Sequence, residues 1–109
     1  MTFIEPYEPL PDYLSIGKSQ IHGLGVITNK AIDKLVVLGI SHIKNSDYKD
    51  GLIRTPLGGF INHSDKPNCK YAENTKTLSL VTTRKINKGE ELTVSYRGWY
   101  DDKILDEYN

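Results

Sequence analysis

The chain has 109 residues, 38% hydrophobic and 26% charged, which fits one small soluble domain; no apolar run approaches the roughly 18 residues of a membrane span. Fourteen basic and fourteen acidic residues cancel, and a single cysteine excludes an intrachain disulfide framework. The charge is uneven: residues 1–13 carry −3, residues 101–109 carry −3, and thirteen bases against seven acids leave +6 on the body between them.

Solvated surface is the simplest reading of that pattern, with intrachain pairing or an anionic ligand as alternatives. The basic residues form no stripe interleaved with aromatics, which argues against direct nucleic-acid binding. The opening MTFIEPYEPL has neither the basic start nor the apolar core of a signal peptide. A soluble, intracellular protein is expected, without a choice between nucleus and cytoplasm.

In chain order, Pro6, Pro9 and Pro11 predict an extended arm over residues 1–12, because each proline removes a backbone donor and restricts the residue before it. From Tyr13 to Ile43 the texture is β, with YLSIGK, GVITNK and KLVVLGISHI as strands rich in Val and Ile and broken by glycine. Residues 44–59, KNSDYKDGLIRTPLGG, read as a loop with at most one short helical turn. LSLVTTRKI (78–86) alternates well enough to bury one face, Asn87-Lys88-Gly89 turns the chain, and ELTVSY (91–96) is a further strand. After Gly98, WYDDKILDEY predicts a helix: Asp101 and Asp102 sit early, and Tyr100, Ile104 and Tyr108 recur at helical spacing. With no βαβ rhythm, a doubly wound sheet is excluded and the domain is mainly β.

Three segments carry chemistry: HGLGVIT (22–28), FINHSDKPN (60–68) and GEELTVSY (89–96). Gly-x-Gly in a β-rich stretch is ordinarily a bulge or tight turn; its functional reading is that bare backbone lets a ligand come close. It is not a dinucleotide fingerprint, since Thr28 stands where the third glycine belongs. Asn62-His63-Ser64 matches a glycosylation sequon, though nothing suggests secretion. His22, His63 and Cys69 match no usual tetrahedral zinc spacing. A nucleophilic Cys69 assisted by His63 is the remaining covalent option, against a reading in which Asn62 and His63 bond backbone at a turn and Cys69 fills the core.

Taken in order, Gly-x-Gly, Asn-His-Ser-x-x-Pro-Asn and Gly-Glu-Glu-Leu-Thr-x-x-Tyr resemble the SET-domain family of protein lysine methyltransferases, over about Lys18 to Tyr100. The shortness is similar to the minimal, viral-type SET domains. The resemblance implies a β-clip fold of small sheets, with the second and third segments threaded past one another in a pseudoknot-like way. The domain is placed over 13–100, and the helical spacing and acidic charge beyond it are read as a tail over 101–109. It implies S-adenosylmethionine as cofactor, its methionine part on the backbone of Gly23, Leu24 and Gly25 and its amino-acid end on Asn62. His63 would meet the adenine through its backbone, Tyr96 would be catalytic, and Trp99 or Tyr100 would cover the adenine or wall the lysine channel. No metal is implied.

The partner implied is a protein with a flexible lysine, a histone tail or a non-histone chain, and minimal relatives form homodimers. The competing expectation is a catalytically silent SET-like module that binds a peptide or self-associates; retention of Tyr96 argues for the enzyme. Departures from the family pattern include Gly59 where arginine is common, Asp65 where cysteine is common, and Leu35-Val36 in place of Gly-Glu.

Overall fold

The computed structural model describes residues 10–47 and 51–96. Trp99, Tyr100, most of the 1–12 arm and the 101–109 tail expected from the sequence lie outside them. Eight strands and one short helix follow in order: β1 Leu14–Lys18, β2 Leu24–Thr28, β3 Val37–Lys44, β4 Leu52–Arg54, α1 Pro56–Phe60, β5 Asn62–His63, β6 Cys69–Glu73, β7 Thr77–Thr82 and β8 Glu91–Val94. They form two four-stranded sheets, ordered β1-β2-β8-β5 and β4-β3-β7-β6. This is the mainly β, small-sheet architecture expected.

β1 and β2 form an antiparallel hairpin in which Gly17 faces Gly25 and Lys18 faces Leu24. β2 passes to β8 through Val26↔Leu92 and Ile27↔Glu91. β8 then pairs in parallel with β5, Asn62 with Thr93 and His63 with Val94. That parallel pairing brings the Asn-His-Ser segment against the last motif, and the Ser64 N–H extends it by donating to Val94 O at 2.9 Å. In β8, Leu92, Thr93 and Val94 are all buried, as an inner strand covered on both faces requires.

The core lies between the sheets, with Val26, Leu57, Ile61, Leu80, Ile86, Leu92 and Val94 at its centre. Cys69 joins it at 1% exposure, and burial is the main reason its thiol is pushed up to about 12. Such a thiol holds almost no thiolate at neutral pH, so the side chain fills space and the nucleophile reading is set aside.

Several boundaries differ from the sequence reading. The strand expected over 34–43 begins only at Val37, because Lys34 and Leu35 make a turn with Leu35 at φ 64°. The strand expected over 78–86 ends at Thr82, and Ile86 keeps one isolated bridge to Ile32. β8 ends at Val94, two residues before Tyr96. Within the expected loop 44–59, Leu52–Arg54 adds an edge strand to β3. The expected helical turn is α1, started by Thr55, whose hydroxyl oxygen accepts from Gly58 N, with Pro56 in the first turn. β6 was not expected, since CKYAE has little β texture; it forms by pairing with β7 from Cys69↔Thr82 to Glu73↔Leu78. Among the described residues no helix is long and apolar enough to cross a membrane.

Candidate functional site

β5 is two residues long, yet it and Ile61 before it touch all three motifs. The Asn62 amide Nδ2 lies within hydrogen-bond distance of four oxygens: Glu91 Oε2 at 2.7 Å, Ser19 Oγ at 3.0 Å, and the carbonyls of His22 and Leu24 at 3.1 Å each. This fixes the amide orientation, because the flipped amide would turn its own oxygen toward three oxygens that cannot donate. The β1–β2 loop is shaped for the contact. Ser19 Oγ accepts from the Ile21 and His22 N–H groups and donates to the Glu91 carboxylate at 2.8 and 2.9 Å, while Ser19 N donates to Gly23 O at 2.9 Å.

Gly25 makes room for this cluster. A Cβ there would collide with Glu91 Oε2, sit 2.7 Å from Glu91 Cδ and 3.1 Å from Asn62 Nδ2. The Gly-x-Gly segment is therefore a hairpin end and, at once, the floor of a polar site.

Tyr96 is held from the same segment. Its hydroxyl donates to Ile61 O at 2.5 Å, and its backbone N–H donates to His63 Nδ1 at 3.0 Å. With Nδ1 accepting, a neutral imidazole carries its proton on Nε2, which faces Asp65 Oδ1 at 3.2 Å. The two rings lie 5.3 Å apart, tilted by 43°. Asp65, where relatives often have cysteine, thus takes part in orienting the His63 ring. Tyr96 remains 38% exposed, so the phenol is pinned yet reachable from solvent.

Asn68, last of the Asn-His-Ser-x-x-Pro-Asn pattern, is 2% exposed and acts like one rung of a strand for β8. Its Nδ2 donates to Glu91 O at 2.9 Å and its Oδ1 accepts from Thr93 N at 2.8 Å. It satisfies backbone groups that burial would otherwise leave unpaired.

The structure therefore brings together Gly23, Leu24, Gly25, Asn62, His63 and Tyr96; Trp99 and Tyr100 lie outside the described residues. Ser19 and Glu91 stand at the centre of the cluster and were not singled out in sequence. Ser19 offers no local signal; Glu91 lies inside the GEELTVSY pattern, where nothing beside it in sequence marks the side chain out from the rest of the strand. Among the described residues no three His, Cys, Asp or Glu side chains gather as a metal-binding group.

A SET-domain family model matches residues 40–97, just over half of the chain. The chain belongs to the SET-domain family. It is 27% identical, across a 130-residue alignment covering 90% of this chain and 3% of the other, to the histone-lysine N-methyltransferase trithorax of Drosophila virilis. Over 41 residues it is 46% identical to a SET and MYND domain-containing protein of Dictyostelium discoideum, which covers 38% of this chain and 8% of that one. The chain thus spans a small fraction of the length of these relatives. Its fold is similar to a crystal structure of a Plasmodium falciparum protein described as a histone methyltransferase, with TM-score 0.67 and 23% identity over 84% of this chain and 99% of that one.

Proposed function

We propose that the chain is a protein-lysine N-methyltransferase that uses S-adenosylmethionine. The observation that carries this reading is the position of β5. It sets the Asn62 amide against the carbonyls of His22 and Leu24 and the Tyr96 hydroxyl against the adjoining Ile61 carbonyl. An oxygen-rich polar cluster and an oriented phenol thus flank one short strand.

The residues fit the cofactor on an observation independent of family. Around Asn62 Nδ2, two amide hydrogens meet four oxygens, two of them the backbone carbonyls of His22 and Leu24. Such a set has spare acceptor capacity and suits the ammonium of an amino acid. S-adenosylmethionine supplies, when bound, a methyl group activated on a sulfonium. The Gly23-Leu24-Gly25 backbone and Asn62 would hold its amino-acid end, and the backbone of His63 would meet its adenine.

Methyl transfer to an amine is an in-line displacement, so alignment contributes much of the acceleration. Tyr96 supplies alignment. Its proton is committed to Ile61 O, so the phenol oxygen acts toward a reacting lysine amine as an acceptor and orients the lone pair. The Tyr96 and His63 rings, 5.3 Å apart, offer an aromatic surface that favours a neutral lysine. The substrate class proposed is a flexible lysine of a histone tail or another protein.

Two measurements test the reading. Calorimetric titration should show S-adenosylhomocysteine binding, and incubation with labelled S-adenosylmethionine and a whole-cell extract should label protein bands at lysine. Tyr96→Phe should bind S-adenosylhomocysteine like wild type while labelling roughly 10²–10³ more slowly. It should lose no more than about 1 kcal/mol of stability, for the bond to Ile61. Wild-type labelling rates in Tyr96→Phe would remove the catalytic role. Cofactor binding without labelling in any extract would favour the silent, peptide-binding SET module.

A further inference from the structure

We propose that Glu91 is the counter-charge for the ammonium at the cofactor's amino-acid end, held in register by Ser19. This rests on the cofactor reading above, which counts Glu91 only as one of four oxygens, and gives that carboxylate the charge-bearing role.

The first argument is a donor deficit. Asn62 brings two amide hydrogens and Ser19 brings one hydroxyl hydrogen. Against these three stand both oxygens of the Glu91 carboxylate and the carbonyls of His22 and Leu24, all in contact with Asn62 Nδ2 or Ser19 Oγ. Ser19 cannot supply more, since its single hydroxyl hydrogen is already given to the Glu91 carboxylate. Each carbonyl and carboxylate oxygen can accept twice, so among the described residues much of the acceptor capacity of the cluster is unmet.

The second argument is charge. The ion pairs found among the described residues are Lys44–Glu73 and Arg84–Glu90, with His63–Asp65 a third only when the imidazole is protonated; none includes Glu91. Among the described residues only neutral donors reach this part-buried carboxylate, and a charge in that position gains most from a cation.

The third argument is placement. The carboxylate lies where a side chain at residue 25 would be, so glycine there leaves it facing the Gly-x-Gly backbone. An ammonium carries three donors and one positive charge, which meets both deficits at once. A bare adenosine, or a cofactor fragment without the amino acid, meets neither.

The test compares two ligands by calorimetry. S-adenosylhomocysteine has the ammonium; methylthioadenosine keeps the adenosine and sulfur but lacks the amino-acid end. Glu91→Gln should weaken S-adenosylhomocysteine by about tenfold or more, as loss of a charge-assisted bond does, and leave methylthioadenosine unchanged. Ser19→Ala should shift affinity in the same direction by less. Glu91→Asp, which retains the charge on a shorter stem, should fall between wild type and Glu91→Gln and guards against a folding defect in the amide variant. An unchanged affinity for S-adenosylhomocysteine in folded Glu91→Gln overturns the assignment. So does an equal loss for both ligands, which would make Glu91 a structural prop. If wild type binds neither ligand, the cofactor reading itself fails, and that outcome is distinct from the other two.

Discussion

Leu35 is the one non-glycine residue among those described with positive φ, at 64°, and its side chain is 64% exposed. The left-handed region crowds Cβ against the following carbonyl, and this leucine recovers little by burial. The turn it makes is well tied, since Leu35 N donates to Thr82 O at 3.0 Å and Val36 N to Thr82 Oγ1 at 2.9 Å. The backbone shape is therefore imposed by β7, and the side chain bears the strain. Leu35→Gly should stabilise the domain by about 0.5–1 kcal/mol, after glycine's larger unfolded-state entropy is subtracted, or roughly 2–8 °C in Tm. Leu35→Ala keeps the Cβ and should show no such gain. Thermal melts of the three proteins decide it; equal gains for Gly and Ala would mean that exposure of the leucine, not φ, is the cost.

At the scale of the element, the 87–90 turn shows how one side chain links a strand to pH. Asn87 N donates to Glu90 Oε1 at 2.9 Å and Arg84 Nη2 to Glu90 Oε2 at 3.2 Å. The Asn87 backbone bond, aided by Arg84, holds the Glu90 carboxyl below the usual glutamate range. A carboxyl lowered on folding contributes stability that is complete above its unfolded range and is lost as pH falls through its folded value. Glu90→Gln should thus be less stable than wild type at pH 7, with the gap closing as the solution is made more acidic than that lowered range. Urea midpoints over a pH series read this directly. A gap that stays constant from neutral to acid would show that Glu90 acts by packing alone. The consequence extends to the site, because this turn delivers Glu91 and β8.

Across the whole molecule, the two sheets are coupled to the site through α1. The helix packs on β3 and runs straight into Ile61 and β5, so its seating sets the height of Asn62. Gly58 is where it seats: a Cβ would collide with Ser41 O, stand 2.8 Å from Ser41 C and 3.0 Å from His42 Cε1. Backbone cannot swing aside as a side-chain tip can. Gly58→Ala should cost about 1–3 kcal/mol and weaken S-adenosylhomocysteine binding together with Tm. Gly59→Ala is the matched control, its nearest neighbour being Arg54 Cβ at 4.0 Å, and should be neutral or slightly stabilising. Should Gly58→Ala lose stability but bind as wild type, α1 would support the core without setting the site.

Much of this was legible along the chain. Alternation and β-branched texture disclosed β1, β2, β3, β7 and β8, and the motif order pointed to Gly23, Leu24, Gly25, Asn62, His63 and Tyr96 before any contact was known. These are signals carried by neighbours in sequence: a strand's period of two, a glycine that cannot carry a Cβ, an amide beside an imidazole. What tertiary structure alone decided was pairing. β5 is too short to show any period, and β6 is too polar to be read as a strand; each exists because a partner strand fills its hydrogen bonds. Ser19 and Glu91 are 72 positions apart, and nothing in either neighbourhood signals the other. Their meeting is set by the register Ile27↔Glu91 and by the turn that follows Lys18. Register is a long-range choice, made by burying Val26, Leu92 and Val94 together, and it places polar partners as a consequence of where the apolar ones must go.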